Sequence, residues 1–197
     1  MNKPDFTVLN ASNIIAFIED IFERCGAESY LGEDVSMAEH MLQGAQLAEQ
    51  AGANEEMITA TLLHDIGHYT SEFPADMVSA GVDNHHDTAG ADILAPFFPQ
   101  IVTDCVRYHV AAKRFLCATK PSYASRLSQA SVDTLKLQGG PMNEDEVATF
   151  RQIPDHKAIL RVRIWDDEGK KRGVETPPLA HYVPVLQRVV DAHCGGT

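Results

Sequence analysis

Apolar residues recur along this chain at spacings of three and four, the period of an amphipathic helix. In "NIIAFIEDIFERCG", Ile14, Ile15, Ile18, Ile21 and Phe22 share one face, and Gly26 predicts the stop. "SMAEHMLQGAQLAEQAG" opens with Ser36 and Glu39 at capping-box spacing and stops at Gly52. "NEEMITATLLHDIGHY" predicts one helix, with Asn54 as N-cap and acids in its first turn, where the helix dipole favours them. "HHDTAGADIL" predicts another, stopped by Pro96. "PQIVTDCVRYHVAAKRFL" starts with a proline near its first turn, which costs no helical hydrogen bond. Beyond "KPSYASR" come "SQASVDTLKLQGG", "NEDEVATFRQI" with Asn143 and Glu146 at capping spacing, and "DHKAILRVRIWDDEG", stopped by Gly169. A charged loop, "EGKKRGVETPPL", leads into the last helix, "AHYVPVLQRVVDAH". No stretch has strand period, and no repeat, low-complexity segment or linker breaks the pattern. The expected fold is all-α, one helical bundle domain over residues 1–197.

Composition narrows the function classes. A chain of 197 residues with 44% apolar residues buries a core without staples. Its net charge of −12 makes it a poor partner for nucleic acid, although a local basic pocket for a small anion is still allowed. Cys25, Cys105, Cys117 and Cys194 form no C-x-x-C pair. "MNKPDFTVLN" lacks the shape of a signal peptide, and no run of 18 apolar residues exists. A cytoplasmic protein with reduced thiols and no membrane partner is expected.

The chemistry is concentrated in "TLLHDIGHY". Ile58, Leu62, Leu63 and Ile66 bury one side of this helix, so His64 and Asp65 fall at the core boundary. Burying a lone carboxylate is costly, and a divalent metal removes that cost. Adjacent helical residues point about 100° apart. They converge only if a metal lies in the groove between them or the carboxylate bridges two metals. His40, His86 and His109 stand at or near apolar faces of three other predicted helices. Each alone reads as an ordinary core or surface histidine. Together they suit a metal pair built between facing helices. Asp166 lies near a helix C-terminus, where the dipole disfavours an acid and a metal would offset it.

The spaced pattern H…HD…H…H…D resembles the HD-domain superfamily, a helical bundle around a mono- or dinuclear metal site. His64 and Asp65 match the adjacent pair, His86, His109 and Asp166 the later positions, and His40 the early histidine. Both intermediate histidines are present, which implies a dinuclear site. His85 is an alternative to His86, but the family's H-x-x-x-G-A spacing fits His86 with Gly90 and Ala91. Over most of the chain, including "HVAAKRFL", "LQGGPM" and "RIWDDEGK", the sequence resembles the phosphonate-cleaving oxygenases of that superfamily. The resemblance implies two iron ions in the mixed-valence Fe(II)/Fe(III) state, with Asp65 as bridge and O2 as co-substrate. It also implies oxidation of a 1-hydroxyphosphonate, with C–P cleavage to a carboxylate and phosphate. The same ligand types would also hold Mn, Co or Zn.

A phosphonate dianion needs fixed positive charge. Helical register puts Lys113 four residues from His109, Arg163 three from Asp166 and His68 four from His64. Ser131 and Gln138 match family positions that donate hydrogen bonds. Gly139–Gly140 reads as a helix stop. "SYLGED" resembles the family's tyrosine–glycine–glutamate loop. That likeness implies that Tyr30 occupies an iron position until substrate arrives and that Glu33 meets the substrate's ammonium group. Tyr30, Glu33 and His68 are the catalytic candidates, and Gly32 would let the loop swing.

The expected substrate is a 1-hydroxy-2-ammonioethylphosphonate. Asp34, directly after Glu33, adds negative field and favours (R)-1-hydroxy-2-(trimethylammonio)ethylphosphonate over 2-amino-1-hydroxyethylphosphonate. The products would be glycine betaine, or glycine, plus phosphate. The competing expectations are a metal-dependent phosphohydrolase acting on nucleotides and a non-catalytic sensing module.

Overall fold

The helix starts read from the sequence are made by the side chains that predicted them. Ser36 and Glu39 form a reciprocal capping box at the start of α2 (Met37–Gln50). Asn54 accepts from the Met57 N–H to open α3 (Glu55–Leu63). Asn143 and Glu146 close a second box on α9 (Glu144–Phe150). The computed structural model describes residues 8–30, 32–70 and 85–196. The remaining helices are α1 (Ile14–Cys25), α4 (Gly67–Thr70), α5 (His86–Leu94), α6 (Gln100–Thr119), α7 (Pro121–Ala124), α8 (Gln129–Leu137), α10 (His156–Glu168) and α11 (Leu179–Cys194). The fold is all-α. Among the described residues the only extended pairing is an isolated bridge between Ser29 and Ser36.

One predicted element is corrected. The helix expected through "NEEMITATLLHDIGHY" ends at Leu63 and restarts at Gly67. Across the break the bonds tighten to three-residue spacing: the Ile66 N–H donates to Leu63 O at 3.1 Å and the His68 N–H to Asp65 O at 3.0 Å. The cause is close packing. A Cβ on Gly67 would lie 1.8 Å from the His86 carbonyl oxygen, so the backbone of α4 rests directly on α5. Ile66 is still fully buried, and the apolar pattern therefore runs through the break unchanged. Two smaller differences follow. Gly26 ends α1 in right-handed geometry, at φ −60°. "KPSYASR" holds the short α7, with Pro121 at its first position.

The long α6 packs on α3, α5 and α10, and α2 packs on α3 and α10. Ile18, Met41, Leu62, Leu63, Val106 and Ile159 belong to one apolar core. Each such side chain contributes roughly 1.5–3 kcal/mol by leaving water. That gain lets the same helices hold polar groups where they would not otherwise stay. Every proposed metal ligand lies on α2, α5, α6 or α10, or on the turn after α3. Among the described residues no helix is long and apolar enough to cross a membrane.

Candidate metal centre

Asp65 sits in the turn between α3 and α4 with its two carboxylate oxygens facing different ways. Oδ2 lies 3.5 Å from His40 Nε2 and 3.4 Å from His64 Nε2. Oδ1 lies 3.2 Å from His109 Nε2 and 3.4 Å from His86 Nε2. Asp166 completes the first group, with Oδ1 3.5 Å from His40 Nε2 and Oδ2 3.6 Å from His64 Nε2. All six side chains are buried, at 0–5% exposure. The break in the predicted helix is what aims Asp65 between the two groups.

The hydrogen bonds behind the rings fix their tautomers. His40 Nδ1 is 3.0 Å from Gly169 O, His64 Nδ1 is 2.7 Å from Thr61 O, and His109 Nδ1 is 2.7 Å from Val106 O. A carbonyl only accepts, so each Nδ1 donates and each neutral Nε2 offers a lone pair. Yet His40 Nε2 stands 3.0 Å from His64 Nε2, and His86 Nε2 stands 3.1 Å from His109 Nε2. In the first pair, where both Nδ1 atoms donate to carbonyls, a positive charge must lie between the two Nε2 atoms: a proton on His64, or a metal ion in its place. Asp65 Oδ2 is buried without a hydrogen-bond donor, which a cation would also satisfy.

The field has the same sign. Burial opposes charge on His64, but Asp65 and Asp166 overcome it and lift its pKa to about 9. Burial likewise opposes ionisation of Asp65, yet the surrounding histidines hold its carboxyl well below the usual range. The donor set therefore fits a pair of metal ions sharing Asp65. Proximity also groups His68 with Asp65 and His86. His109 is the nearer donor, at 3.2 Å from Asp65 Oδ1 against 4.0 Å for His68. His68 instead stacks on His86, with ring centroids 3.9 Å apart. His85 is the exposed N-cap of α5, at φ +46°, and its neighbour His86 is the one beside Asp65.

A narrow cleft, with a cavity volume of about 30 Å³, opens onto the second group. Tyr30, Glu33, His68, Lys113, Ser131, Gln138 and Arg163, all picked out from the sequence, line it. Lys113 is 3% exposed and its ammonium donates to Thr134 Oγ1 at 2.9 Å. Burial, and the positive charge of Arg163 beside it, push its pKa down to about 7. Arg163 lies 2.6 Å from Asp166 Oδ2 and grips Asp167 through Nε and Nη2. Asp167 in turn accepts from the Tyr123 hydroxyl at 2.5 Å.

Two polar cleft residues, Thr134 and Lys170, were not singled out from the sequence. Thr134 receives Lys113. Lys170 reaches Asp166 Oδ1 at 3.2 Å and donates to Ser131 Oγ at 3.3 Å. Lys170 follows Asp166 by four residues, the same register that picked out Lys113 and Arg163. The position lies just beyond Gly169, the glycine that ends α10, where helical spacing does not by itself predict a shared face.

At the other end of the cleft, Tyr30 stacks on His40 with centroids 4.0 Å apart, and Lys170 Nζ lies 5.5 Å above the tyrosine ring. The Glu33 N–H donates to Tyr30 O at 2.7 Å, closing a tight turn in which Gly32 has φ +86°. Asp34 is exposed and does not line the cleft, so the field argued from it is not supplied there. Gly139 and Gly140 follow α8 at positive φ, as a helix stop.

Comparison with known proteins shows the family. The HD-domain family model matches residues 37–134. The [1-hydroxy-2-(trimethylamino)ethyl]phosphonate dioxygenase (glycine-betaine-forming) of Leisingera caerulea is 57% identical over 195 residues, 99% of this chain and 100% of that one. The hydroxymethylphosphonate dioxygenase of Gimesia maris is 43% identical over 156 residues, 79% of this chain and 78% of that one.

Proposed function

Since this chain belongs to the HD-domain phosphonate dioxygenases, we propose that it cleaves (R)-1-hydroxy-2-(trimethylammonio)ethylphosphonate with O2, giving glycine betaine and phosphate. One observation carries the reading. A single cleft joins the Asp65 cluster to three buried or nearly buried cations, Lys113, Arg163 and Lys170, and to a carboxylate–tyrosine pair, Glu33 and Tyr30. A zwitterion with a dianionic head and a cationic tail matches that layout. The relative named as betaine-forming over its full length supports the methylated tail.

Two iron ions in the mixed-valence state are the proposed cofactor; bound there, they would activate O2 and accept the substrate's hydroxyl and phosphonate oxygens. His40, His64 and Asp166 would hold one, His86 and His109 the other, with Asp65 shared. The protein's own part is binding and orientation. Lys113, Arg163 and Lys170 neutralise the phosphonate, and Ser131 and Gln138 fix its rotation. His68 is kept neutral by burial and by His86 beside it. It offers an uncharged imidazole to the C1 hydroxyl. Tyr30, whose hydroxyl burial keeps firmly protonated, closes the space beside His40 until substrate displaces it. The balance requires one O2 for each C–P bond: one oxygen ends in the carboxylate and one in phosphate.

The nucleotide phosphohydrolase alternative needs neither O2 nor a cation pocket, and the named relatives are oxygenases. The deciding experiment is aerobic turnover of the trimethylated and primary-amine substrates, with O2, phosphate and glycine betaine or glycine quantified. One O2 per phosphate is expected, with the trimethylated substrate preferred. Phosphate release from a nucleotide without O2, and none from either phosphonate, would overturn the proposal.

A further inference from the structure

The first turn of α8 touches both ends of the cleft. Ser131, inside it, receives Lys170 at the anion end. Ser128, the N-cap, accepts from the Ser131 N–H at 3.1 Å and donates its own hydroxyl to Glu33 Oε1 at 2.5 Å. Ser128 and Glu33 are 95 residues apart in sequence, so this contact ties the Tyr30–Glu33 turn to the bundle. Ser128 is not among the residues lining the cleft.

We propose that Ser128 is a specificity-determining positioning residue, which fixes Glu33 as a counter-charge suited to a quaternary ammonium. The inference rests on the function proposed above and names what selects its substrate. A primary ammonium carries three N–H donors and binds best to a carboxylate free to turn its lone pairs toward it. A trimethylammonium has no N–H. It requires negative charge at a fixed distance, with an aromatic face nearby, and competes for no lone pair. A glutamate already accepting from Ser128 supplies that charge and gives up nothing when the methylated tail enters. The backbone that carries it is fixed as well, because the Glu33 N–H donates to Tyr30 O. The Ser128–Ser131 turn thereby sets the span between the cationic and anionic ends of the ligand.

The test compares three ligands on purified, metal-loaded enzyme. Trimethylated and primary-amine substrates are measured by kcat/KM, and hydroxymethylphosphonate, which lacks the cationic tail, by its competitive Ki. Ser128→Ala and Ser128→Gly both remove the hydroxyl, and glycine is well tolerated at an N-cap, so a foldable variant is secured. Ser128→Thr retains both cap and donor. In Ala or Gly variants the preference for trimethylated over primary-amine substrate should fall about tenfold, through KM and not kcat. The Ki of hydroxymethylphosphonate should not move, and Ser128→Thr should restore the preference. A loss of cap alone would weaken all three ligands together. Equal losses for all three, or an unchanged preference, overturn the role of Ser128 while leaving the oxygenase intact. Wild-type enzyme that turns over neither phosphonate overturns the oxygenase reading and this inference with it.

Discussion

His40 and His64 point their Nε2 atoms at each other across 3.0 Å, while the far nitrogen of each ring is held by a backbone carbonyl. Neither ring can relieve the contact by switching tautomer without losing that carbonyl. The pair therefore needs a positive charge between its rings, a proton on His64 or a metal ion in its place. Gly169 O, which holds His40, comes from the end of α10, so the ring's orientation depends on a contact 129 residues away.

Metal loading should follow this division. In His40→Ala the first group loses a donor and the second keeps all of its own. The expected outcome is a protein retaining one of two metal ions. Asp65→Ala should lose both, because each group uses one of its oxygens. Metal analysis of the purified variants, with helical content checked by circular dichroism, decides it. Full metal content in Asp65→Ala would remove the bridging role.

Binding of the phosphonate should depend on pH through Lys113. Its pKa is lowered to about 7, so the side chain carries full charge below that value and loses it as pH rises through it. Affinity for the dianion should fall above pH 7 for this reason. The substrate's own titration is common to wild type and Lys113→Arg, whose guanidinium stays charged. The difference between their KM–pH profiles isolates the lysine. Parallel profiles would mean that Lys113 stays charged throughout.

Asp167 is adjacent to a proposed ligand but faces away from it, toward Arg163 and Tyr123. Asp167→Asn leaves the shape and removes one of the two carboxylate charges, the other being Asp166, that hold Arg163. KM for the phosphonate should rise about tenfold with metal content unchanged. Stability should drop by roughly 1–3 kcal/mol, since the charge-assisted bonds weaken. A lost metal ion would instead show that Asp167 acts through Asp166.

Much of this site was legible because helical register is simple arithmetic. His109 and Lys113, or Arg163 and Asp166, share a face wherever the helix goes, and their types said what that face would do. The four imidazoles stood out jointly, at or near apolar positions of separate helices, and the resemblance to the HD-domain superfamily grouped them with Asp65 and Asp166. What register could not give was the geometry at breaks. The turn at His64–Ile66 is invisible to periodicity, because Ile66 remains buried on either path. Ser128 read as nothing more than part of a helix start, because its partner Glu33 lies in a distant loop. Asp34 directly follows Glu33 in sequence, yet consecutive side chains diverge in a tight turn and Asp34 faces solvent.

Gly67 makes the link between fold and metal testable. Its missing Cβ lets α4 rest on the His86 carbonyl, and the nearest atoms are backbone, which cannot rotate aside. Gly67→Ala would place a carbon 1.8 Å from that oxygen and 2.7 Å from Gly90 N, so α4 and α5 must separate. Overpacking of this kind costs about 1–3 kcal/mol, and more where backbone must shift. His86 starts α5, so it moves first. Asp65, held by its own turn after α3, and His40, His64 and Asp166, on other elements, need not follow. The expected protein is less stable by thermal unfolding, retains the ion of the first group and loses the ion held with His86. Should Gly67→Ala keep both ions and its melting temperature, the close contact between α4 and α5 would not be what positions His86.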